Sequence, residues 1–317
     1  MIYIVLSFWL ITGLVIVWER RLIYLLIYLG VFSVISSVAY LFMAAPDLAM
    51  AEIAISAFTT IFFIVFFERY YILGAHKKDI EGNSGGRRKI TFFGHIVPFA
   101  LTLALITLLF VFAPEMNVNS YLARQYIENF AADVGGQNAI TAIYLGYRVY
   151  DTMLEALMLV IAVVAVGHMS FYSPLTIKDG RESEAKSSAV AVFTIRMLSP
   201  ILLIYGVYVI TMGHMGPGGG FQGGLMIAAF FVCRYMIFDI YDIPIKKVLK
   251  LEEIVFITTI TFAALVVFSN IFVYLPIDTS TTIFQATYLI VLNTLIGLKV
   301  ACGFIIMFHR YIAIERH

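Results

Sequence analysis

The feature that most constrains this chain is a series of apolar runs, each about twenty residues long, that recurs along almost its whole length. A helix of that length, at about 1.5 Å per residue, matches the hydrocarbon thickness of a bilayer. Charged residues make up only 13% of the 317 positions, whereas a soluble domain carries roughly 25%. The sequence therefore predicts an all-α, polytopic membrane protein.

The apolar runs predict about nine transmembrane helices. We expect the first run to be a retained span and not a signal peptide, because no positive region precedes it and no small-residue cleavage site follows it. The predicted spans cover residues 2–18, 22–44, 48–70, 91–113, 151–170, 189–212, 221–238, 253–275 and 284–308.

The distribution of basic residues predicts the orientation of these spans. Every second loop contains a basic group such as Lys77–Lys78 or Lys246–Lys247, whereas the alternate loops hold only Arg124 and Arg148. Cytoplasmic loops of membrane proteins are enriched in Lys and Arg. We therefore expect the amino terminus outside, the carboxyl terminus in the cytoplasm, and a multi-pass location in the plasma membrane.

Two polar stretches divide the chain. His76–Lys89 is rich in glycine, and Pro174–Ser188 is charged and contains serine. They separate three predicted modules, a three-helix module at 1–75, a two-helix module at 90–172 and a four-helix module at 185–317. This layout suggests small membrane subunits joined in one chain.

Several kinds of site are disfavoured by the sequence. Cys233 and Cys302 lie in apolar runs without metal-ligand spacing, and the six histidines form no paired-histidine helix motif. We expect no catalytic residue, no metal site and no cofactor in this chain, with Na⁺ or H⁺ as the transported ion. A net charge of +1 gives no indication of nucleic-acid binding.

Acidic residues at the start of two apolar runs are the first candidates for function. An ionisable group inside hydrocarbon is costly, so it is a functional hypothesis by default. Asp47 and Glu52 open the third predicted span, and Asp151 and Glu155 repeat this arrangement in the fifth. Carboxylates in a helix bundle can carry protons or bind sodium. The alternatives are a helix-start role for Asp47 and a salt-bridge staple between modules.

Lys299 lies near the middle of the ninth predicted span, too far from either boundary for its side chain to reach water fully. It therefore needs a partner, for which Glu52 or Glu155 would serve. A buried lysine can also carry protons.

The segment 213–224 is unusually rich in glycine and joins the sixth and seventh predicted spans. A nucleotide-binding role is disfavoured because the flanking segments are membrane helices and not a βαβ unit. The loop either lines a polar cavity and contacts an ion, or forms a compact turn with close helix packing. Its candidate residues are His214, Pro217, Gly218, Gly219, Gly220, Gln222, Gly223 and Gly224.

Several of these segments resemble a known family. Met215–Gly224 and Asn293–Gly303 resemble the B subunit of Mrp-type multisubunit Na⁺/H⁺ antiporters, over roughly 185–317. Residues 41–70 resemble the carboxyl-terminal tail of the Mrp A subunit, and Asp151–Glu155 a later part of that tail. The whole chain thus looks like an A-subunit tail fused to a B subunit.

The resemblance also carries expectations about function. The large domain that precedes this tail in bacterial A subunits has no counterpart here, which points to the archaeal membrane-bound hydrogenase and sulfane reductase complexes. The resemblance implies sodium translocation. It also implies three kinds of partner: other Mrp-like membrane subunits (antiporter-like and small C-, E-, F- and G-type), a hydrogenase or sulfane reductase redox arm, and lipid. The implied functional positions are Asp47, Glu52, Asp151, Glu155, Pro217, the loop glycines and Lys299.

The sequence therefore predicts a membrane subunit of a multisubunit cation/proton-translocating complex, which catalyses no chemistry by itself. One alternative is a non-conducting scaffold that bridges redox and antiporter arms, and another is a subunit of a free-standing Mrp antiporter. A self-contained secondary transporter is less favoured, because the three modules show no inverted repeat.

Overall fold

The computed structural model describes residues 2–19, 21–56, 58–60, 62–63, 121–171, 189–237, 244–272 and 282–313. Within these ranges every regular element is helical, as the sequence predicted. The predicted fourth span, 91–113, lies outside the described residues. The helices are α1 (Ile2–Trp18), α2 (Leu22–Phe42), α3 (46–56, 58–60 and 62–63), α4 (Tyr121–Asp133), α5 (Ala139–Ala142), the π-helical turn π1 (Ile143–Tyr147), α6 (Val149–Phe171), α7 (Ala189–Met212), α8 (Gly220–Ile237), α9 (Ile245–Phe272) and α10 (Thr282–Ala313).

Four of the described helices contain a segment long and apolar enough to cross a membrane. These segments are Tyr24–Phe42, Val149–His168, Ile195–Met212 and Thr287–Arg310. The helix Ile2–Trp18 and the segment Gly220–Arg234 are apolar but shorter. The all-α membrane fold is thus confirmed, whereas nine spans and the orientation of the termini stay predictions.

The chain divides into two compact units. One comprises Met1–Arg69 together with Asn129–His317, and the other comprises Tyr70–Glu128. The second unit is described only over 121–128, the amino-terminal part of α4, where Tyr121 is exposed. The predicted spans leave residues 121–133, which form α4, in a loop. The rest of the described helices and the core belong to the first unit.

Helix α10 is at the centre of the first unit. Its apolar segment is 67% buried, against 17–22% for the other three candidate spans. Phe58 of α3 packs edge-on against Phe304 at 4.7 Å, and Phe62 packs against Phe308 at 6.0 Å. Because the paired numbers rise together, α3 and α10 run parallel.

Helix α6 also runs parallel to α10. The hydroxyl of Tyr288 in α10 donates to the carbonyl of Leu145, just before α6. Further along, Gly303 of α10 lies next to Leu159 of α6. The contacts therefore advance in the same direction along both helices.

Helix α9 runs antiparallel to α10. Phe262 stacks on Tyr288 at 5.8 Å, and Glu252 pairs with Lys299, so numbers fall along one helix as they rise along the other. Helix α8, in contrast, meets α10 in parallel, through Gly220 and Gly224 as described below. Helices α3, α6, α8 and α10 therefore all start at the same end of the unit.

Candidate functional site

Asp47 lies in the first turn of α3, directly after Pro46, the first helical residue. Its side chain is buried, at 9% exposed. Its Oδ1 accepts a hydrogen bond from Nδ2 of Asn138 at 2.9 Å and another from the backbone N–H of Gly218 at 3.2 Å. Asp47 is therefore more than a helix-start residue, because it joins segments from all three predicted modules.

Asn138 is the centre of this cluster. Its Oδ1 accepts from the backbone N–H groups of Ile140 at 2.9 Å and Thr141 at 3.3 Å, and so caps α5. Its Nδ2 donates to Asp47 and to the carbonyl of Gly216 at 2.8 Å. One buried amide thus fixes a helix start, a carboxylate and the glycine loop.

The glycine loop, residues 213–219, is held against the segment that precedes α5. The hydroxyl of Thr141 donates to the carbonyl of Gly213 at 2.6 Å. The backbone N–H groups of Gln137 and Asn138 both donate to the carbonyl of His214, at 2.8 and 3.1 Å. The loop is a compact turn, and an ion that used these carbonyls would compete with protein donors.

Two glycines in this region have backbone conformations that other residues rarely adopt. Gly136 has φ +85°, and a Cβ there would lie 2.8 Å from the carbonyl oxygen of His214. Gly218 has φ +150°, and its Cβ would lie 3.0 Å from the carbonyl oxygen of Val209. Side chains at these two positions would separate the loop from its supports.

The glycines of α8 allow backbone contact with two other helices. A Cβ on Gly220 would lie 2.5 Å from the carbonyl oxygen of Asn293, and one on Gly224 would lie 2.5 Å from that of Gly297, both in α10. On another face, a Cβ on Gly223 would lie 2.6 Å from the carbonyl oxygen of Gly206 in α7. Small residues at such spacing are typical of close packing between membrane helices.

Asn293 lies at the junction of α8, α10 and π1, and it is fully buried. Its Oδ1 accepts from the N–H of Gly220 at 3.0 Å and from the hydroxyl of Tyr144 at 3.1 Å. Its Nδ2 is buried and has no hydrogen-bond partner in the described part of the chain. Burial raises the pKa of Tyr144 to about 12, so its hydroxyl is a neutral donor at physiological pH.

The π-helical turn π1 directs Tyr144 toward Asn293. The wider turn leaves two carbonyl groups for side-chain donors. The hydroxyl of Thr152 donates to the carbonyl of Tyr144 at 2.6 Å, and that of Tyr288 donates to the carbonyl of Leu145 at 2.7 Å. The distorted turn is thus fully supported by its neighbours.

Glu52 lies deeper in α3 and has a different partner. The hydroxyl of Ser33 in α2 donates a short hydrogen bond to its carboxylate. One turn further along α2, the hydroxyl of Ser37 donates to the carbonyl of Ala49 at 2.8 Å. Buried serines of α2 therefore hold the carboxylate-bearing face of α3.

Asp151 and Glu155 lie together on the surface of α6. Asp151 is in the first turn, as predicted, and forms an ion pair with Arg148, with both side chains about half exposed. Glu155 is exposed one turn further along, beside the exposed Leu154 and Met158. This face is apolar apart from its carboxylates.

Lys299 pairs with Glu252 of α9, and both residues are buried, at 1% and 7% exposed. The expectation that Glu52 or Glu155 would be its partner was wrong. The reason is the start of α9, which begins at Ile245 and not at the predicted residue 253. Glu252 therefore lies within the helix and faces α10.

Three other predicted loop residues have more peripheral positions. His214 is buried, with Nδ1 at 2.9 Å from the carbonyl oxygen of Thr211. Gln222 is partly buried, with its Oε1 close to Gly219. Pro217 is exposed at the tip of the loop. None of these side chains contacts Asp47 through a hydrogen bond recorded in the described residues.

Sequence reasoning did not identify five polar residues of these clusters, although the sequence contained signals for Asn138 and Glu252. Asn138 lies between a glycine pair and an apolar run, which is typical of a helix N-cap. Pro244 marks the early start of α9, the helix that contains Glu252. The missed residues are Ser33, Asn138, Tyr144, Glu252 and Asn293.

Two family models match this chain. Residues 190–306 match a model described as "Domain related to MnhB subunit of Na+/H+ antiporter", and residues 7–71 match the MbhD model, which describes a subunit of MBH. Two segments of the chain thus resemble subunits of the Mrp-type module. The first match covers the glycine loop and Lys299, and the second covers Asp47 and Glu52.

The chain is also similar to parts of much longer proteins. The chain is 29% identical over 176 residues, 56% of its length, to a Staphylococcus haemolyticus protein named "Putative antiporter subunit mnhA2", of which it covers 20%. It is 31% identical over 115 residues to an uncharacterized protein of Methanocaldococcus jannaschii, with 32% of this chain and 44% of that one covered. The chain thus spans a fifth of the length of the mnhA2 relative.

Two solved structures are similar in fold to this chain. A chain of the Mrp complex from Dietzia sp. DQ12-45-1b matches 99% of this chain with a TM-score of 0.74 and 18% identity, over 35% of its own length. A chain of the membrane-bound sulfane sulfur reductase, an archaeal respiratory membrane complex, matches 68% of this chain with a TM-score of 0.53 and 25% identity, over 96% of its own length. The first likeness, at 18% identity, shows a shared fold and nothing more.

Proposed function

We propose that this chain is a membrane subunit of a multisubunit complex that moves protons and sodium ions across the plasma membrane. The chain itself catalyses no chemistry and holds no cofactor. The Mrp-type module and the similarity to an antiporter subunit support this assignment. The observation that carries it is the buried cluster of Asp47 and Asn138, because a carboxylate enclosed in an apolar helix bundle is otherwise costly.

The polar groups around this cluster suit a hydrated route. Asp47 supplies a carboxylate, and Asn138 links it to the glycine loop. Asn293 adds a buried Nδ2 donor without a protein acceptor in the described residues, which is the pattern of a water-binding group. A carboxylate beside bound water can exchange protons or coordinate a sodium ion through oxygen.

In the proposed orientation the amino terminus is outside. The parallel course of α3, α6, α8 and α10 agrees with the alternation of spans on which this orientation depends. The basic loops support it as well. The Asp47 cluster then lies near the outer surface, and Lys299 lies toward the cytoplasm.

The proposed partners are other Mrp-like membrane subunits, of the antiporter-like and small C-, E-, F- and G-type classes, together with a hydrogenase or sulfane reductase redox arm. The position of Glu155 supports the proposal that a neighbouring subunit contacts α6. Its carboxylate lies on an exposed face beside Leu154 and Met158, and such a group does not face lipid without a partner or water. Copurification of nickel-site or iron–sulfur subunits would identify the parent complex.

A scaffold that conducts no ions is a second candidate function. It is favoured by the separate contacts of Glu52 with Ser33 and of Lys299 with Glu252. These contacts do not join the two groups into one direct path. In the scaffold interpretation the same polar groups fix the helices and leave ion transport to other subunits.

Ion flux in the assembled complex separates the two functions. We expect Asp47→Asn to leave the complex assembled but to reduce sodium-dependent proton flux in everted membrane vesicles. The matched control is Asp133→Asn, an exposed carboxylate at the end of α4. Normal flux from Asp47→Asn, or from a complex that lacks this chain, would contradict the transport function.

A further inference from the structure

The Lys299–Glu252 pair is separate from the Asp47 cluster. Glu252 is seven residues beyond Ile245, the start of α9, or about 10 Å along the helix axis at ~1.5 Å per residue. Lys299 is six residues beyond Asn293 along α10, or about 9 Å. The pair therefore lies between the Asn293 junction and the lysine-bearing start of α9.

The surroundings of the pair are apolar. The Nζ of Lys299 lies 5.1 Å from the centre of the Phe256 ring, one turn further along α9. Val255, which precedes Phe256, is 6% exposed, and Val300, which follows Lys299, is 3% exposed. A buried ion pair is often no more stabilising than apolar side chains of similar volume. Helix packing alone therefore does not account for two charges at this position.

Glu252 lies nearer than Lys299 to the charged start of α9. Its neighbour in sequence, Glu253, is exposed, and so are Lys246, Lys247 and Lys250 in the preceding turns. Lys299 has almost no exposed surface of its own, at 1%. A proton that leaves Lys299 toward the start of α9 would therefore meet the carboxylate of Glu252 first.

We propose that Lys299 and Glu252 form a proton-exchanging pair, in which Glu252 carries protons between Lys299 and the aqueous side at the start of α9. The proton passes from the ammonium Nζ of Lys299 to a carboxylate oxygen of Glu252, which leaves a neutral amine beside a carboxylic acid. Glu252 then releases the proton to water, and Lys299 takes up another from the side of Asn293. This inference rests on the proposed transport function and names a carrier for it.

The first test replaces the carboxylate and measures two quantities. In the whole complex, Glu252→Gln is expected to lose sodium-dependent proton flux in everted vesicles while the chain still copurifies with its partners. Glu253→Gln removes the adjacent exposed carboxylate and is expected to retain normal flux. Normal flux from Glu252→Gln would overturn the proposal.

A second variant removes the risk that Glu252→Gln disrupts assembly by stranding the buried Lys299. The double variant Glu252→Gln with Lys299→Met carries neither charge, and we expect it to assemble normally and to lose flux. If the double variant transports normally, or fails to assemble at all, the pair has no carrier role and the proposal is overturned.

A charge swap distinguishes a carrier from a staple. Glu252→Lys with Lys299→Glu keeps the ion pair but places the carboxylate on α10 and the amine on α9. We expect the swapped complex to assemble and not to transport, whereas restored flux would show a staple and overturn the proposal. A complex without this chain that keeps full flux would instead reject the transport function itself, so the two failures differ.

Discussion

The side chains of Asp47 and Asn138 are joined by a 2.9 Å hydrogen bond, although 91 positions separate them in the sequence. The same amide caps α5 and donates to the glycine loop. The depth of Asp47, the start of α5 and the course of the loop therefore depend on one another. A change at Asn138 should affect all three.

We expect Asn138→Ala to destabilise the protein by more than the ~1 kcal/mol typical of a lost helix cap. The substitution also removes one of the two donors to Asp47, which keeps the N–H of Gly218, and it removes the donor to the carbonyl of Gly216. Each such loss costs about 1–3 kcal/mol. The melting temperature of the purified complex measures the effect. Gln137→Ala, at an exposed neighbouring side chain, serves as the control. Equal melting temperatures for the two variants would contradict this prediction.

Gly224→Ala should separate α8 from α10. The added Cβ would lie 2.5 Å from the carbonyl oxygen of Gly297, and backbone cannot move aside as a flexible side chain can. We expect a marked loss of the assembled complex, measured as the amount of chain that copurifies. Gly167→Ala in α6 is the control, because a Cβ there would have nothing within 4 Å. A normal yield from Gly224→Ala would show that the helices tolerate a wider spacing.

Glu52→Gln is expected to abolish ion translocation without loss of assembly, because the amide cannot release a proton. Ser33→Ala removes the hydroxyl that donates to this carboxylate and should reduce flux by a smaller amount. Ser7→Ala, at an exposed serine whose hydroxyl donates to the carbonyl of Tyr3 within α1, controls for the loss of a hydroxyl group. Flux in everted vesicles, normalised to the amount of complex, measures all three variants.

Glu155→Gln is also expected to abolish translocation with assembly intact. Its carboxylate lies on the exposed face of α6, so the substitution leaves no buried partner unpaired among the described residues. Glu128→Gln, at an exposed carboxylate of α4, is the control. Normal flux in both Glu52→Gln and Glu155→Gln would rule out these carboxylates as proton carriers.

Much of the fold follows from hydropathy and proline. Apolar runs gave α1 and α7 the bounds that the structure shows, and Pro46 marked the first residue of α3. Both depend on local physics, since the length of an apolar run and the missing N–H of proline act within one helix. The start of α9 was missed because Lys246 and Lys247 lower the hydropathy of a segment that is nevertheless helical.

The partners of the site could not be predicted in the same way. Asp47 and Lys299 stood out because each is a charge in an apolar segment. Their partners, Asn138 and Glu252, lie in polar stretches where such residues are common. Which of many polar side chains approaches a buried charge depends on how the helices pack, and hydropathy does not specify that. The resemblance to Mrp subunits did not indicate these contacts.

The glycine contacts of α8 have a mechanical consequence. Backbone lies against backbone where Gly224 meets Gly297 and where Gly223 meets Gly206. The backbone atoms in these contacts cannot change rotamer to absorb a displacement, so α7, α8 and α10 should shift as one rigid body. Helix α9 joins α10 through side chains instead, as in the Glu252–Lys299 pair. If a neighbouring subunit pushes on this module during a transport cycle, the seam between α9 and α10 is where the strain should be released.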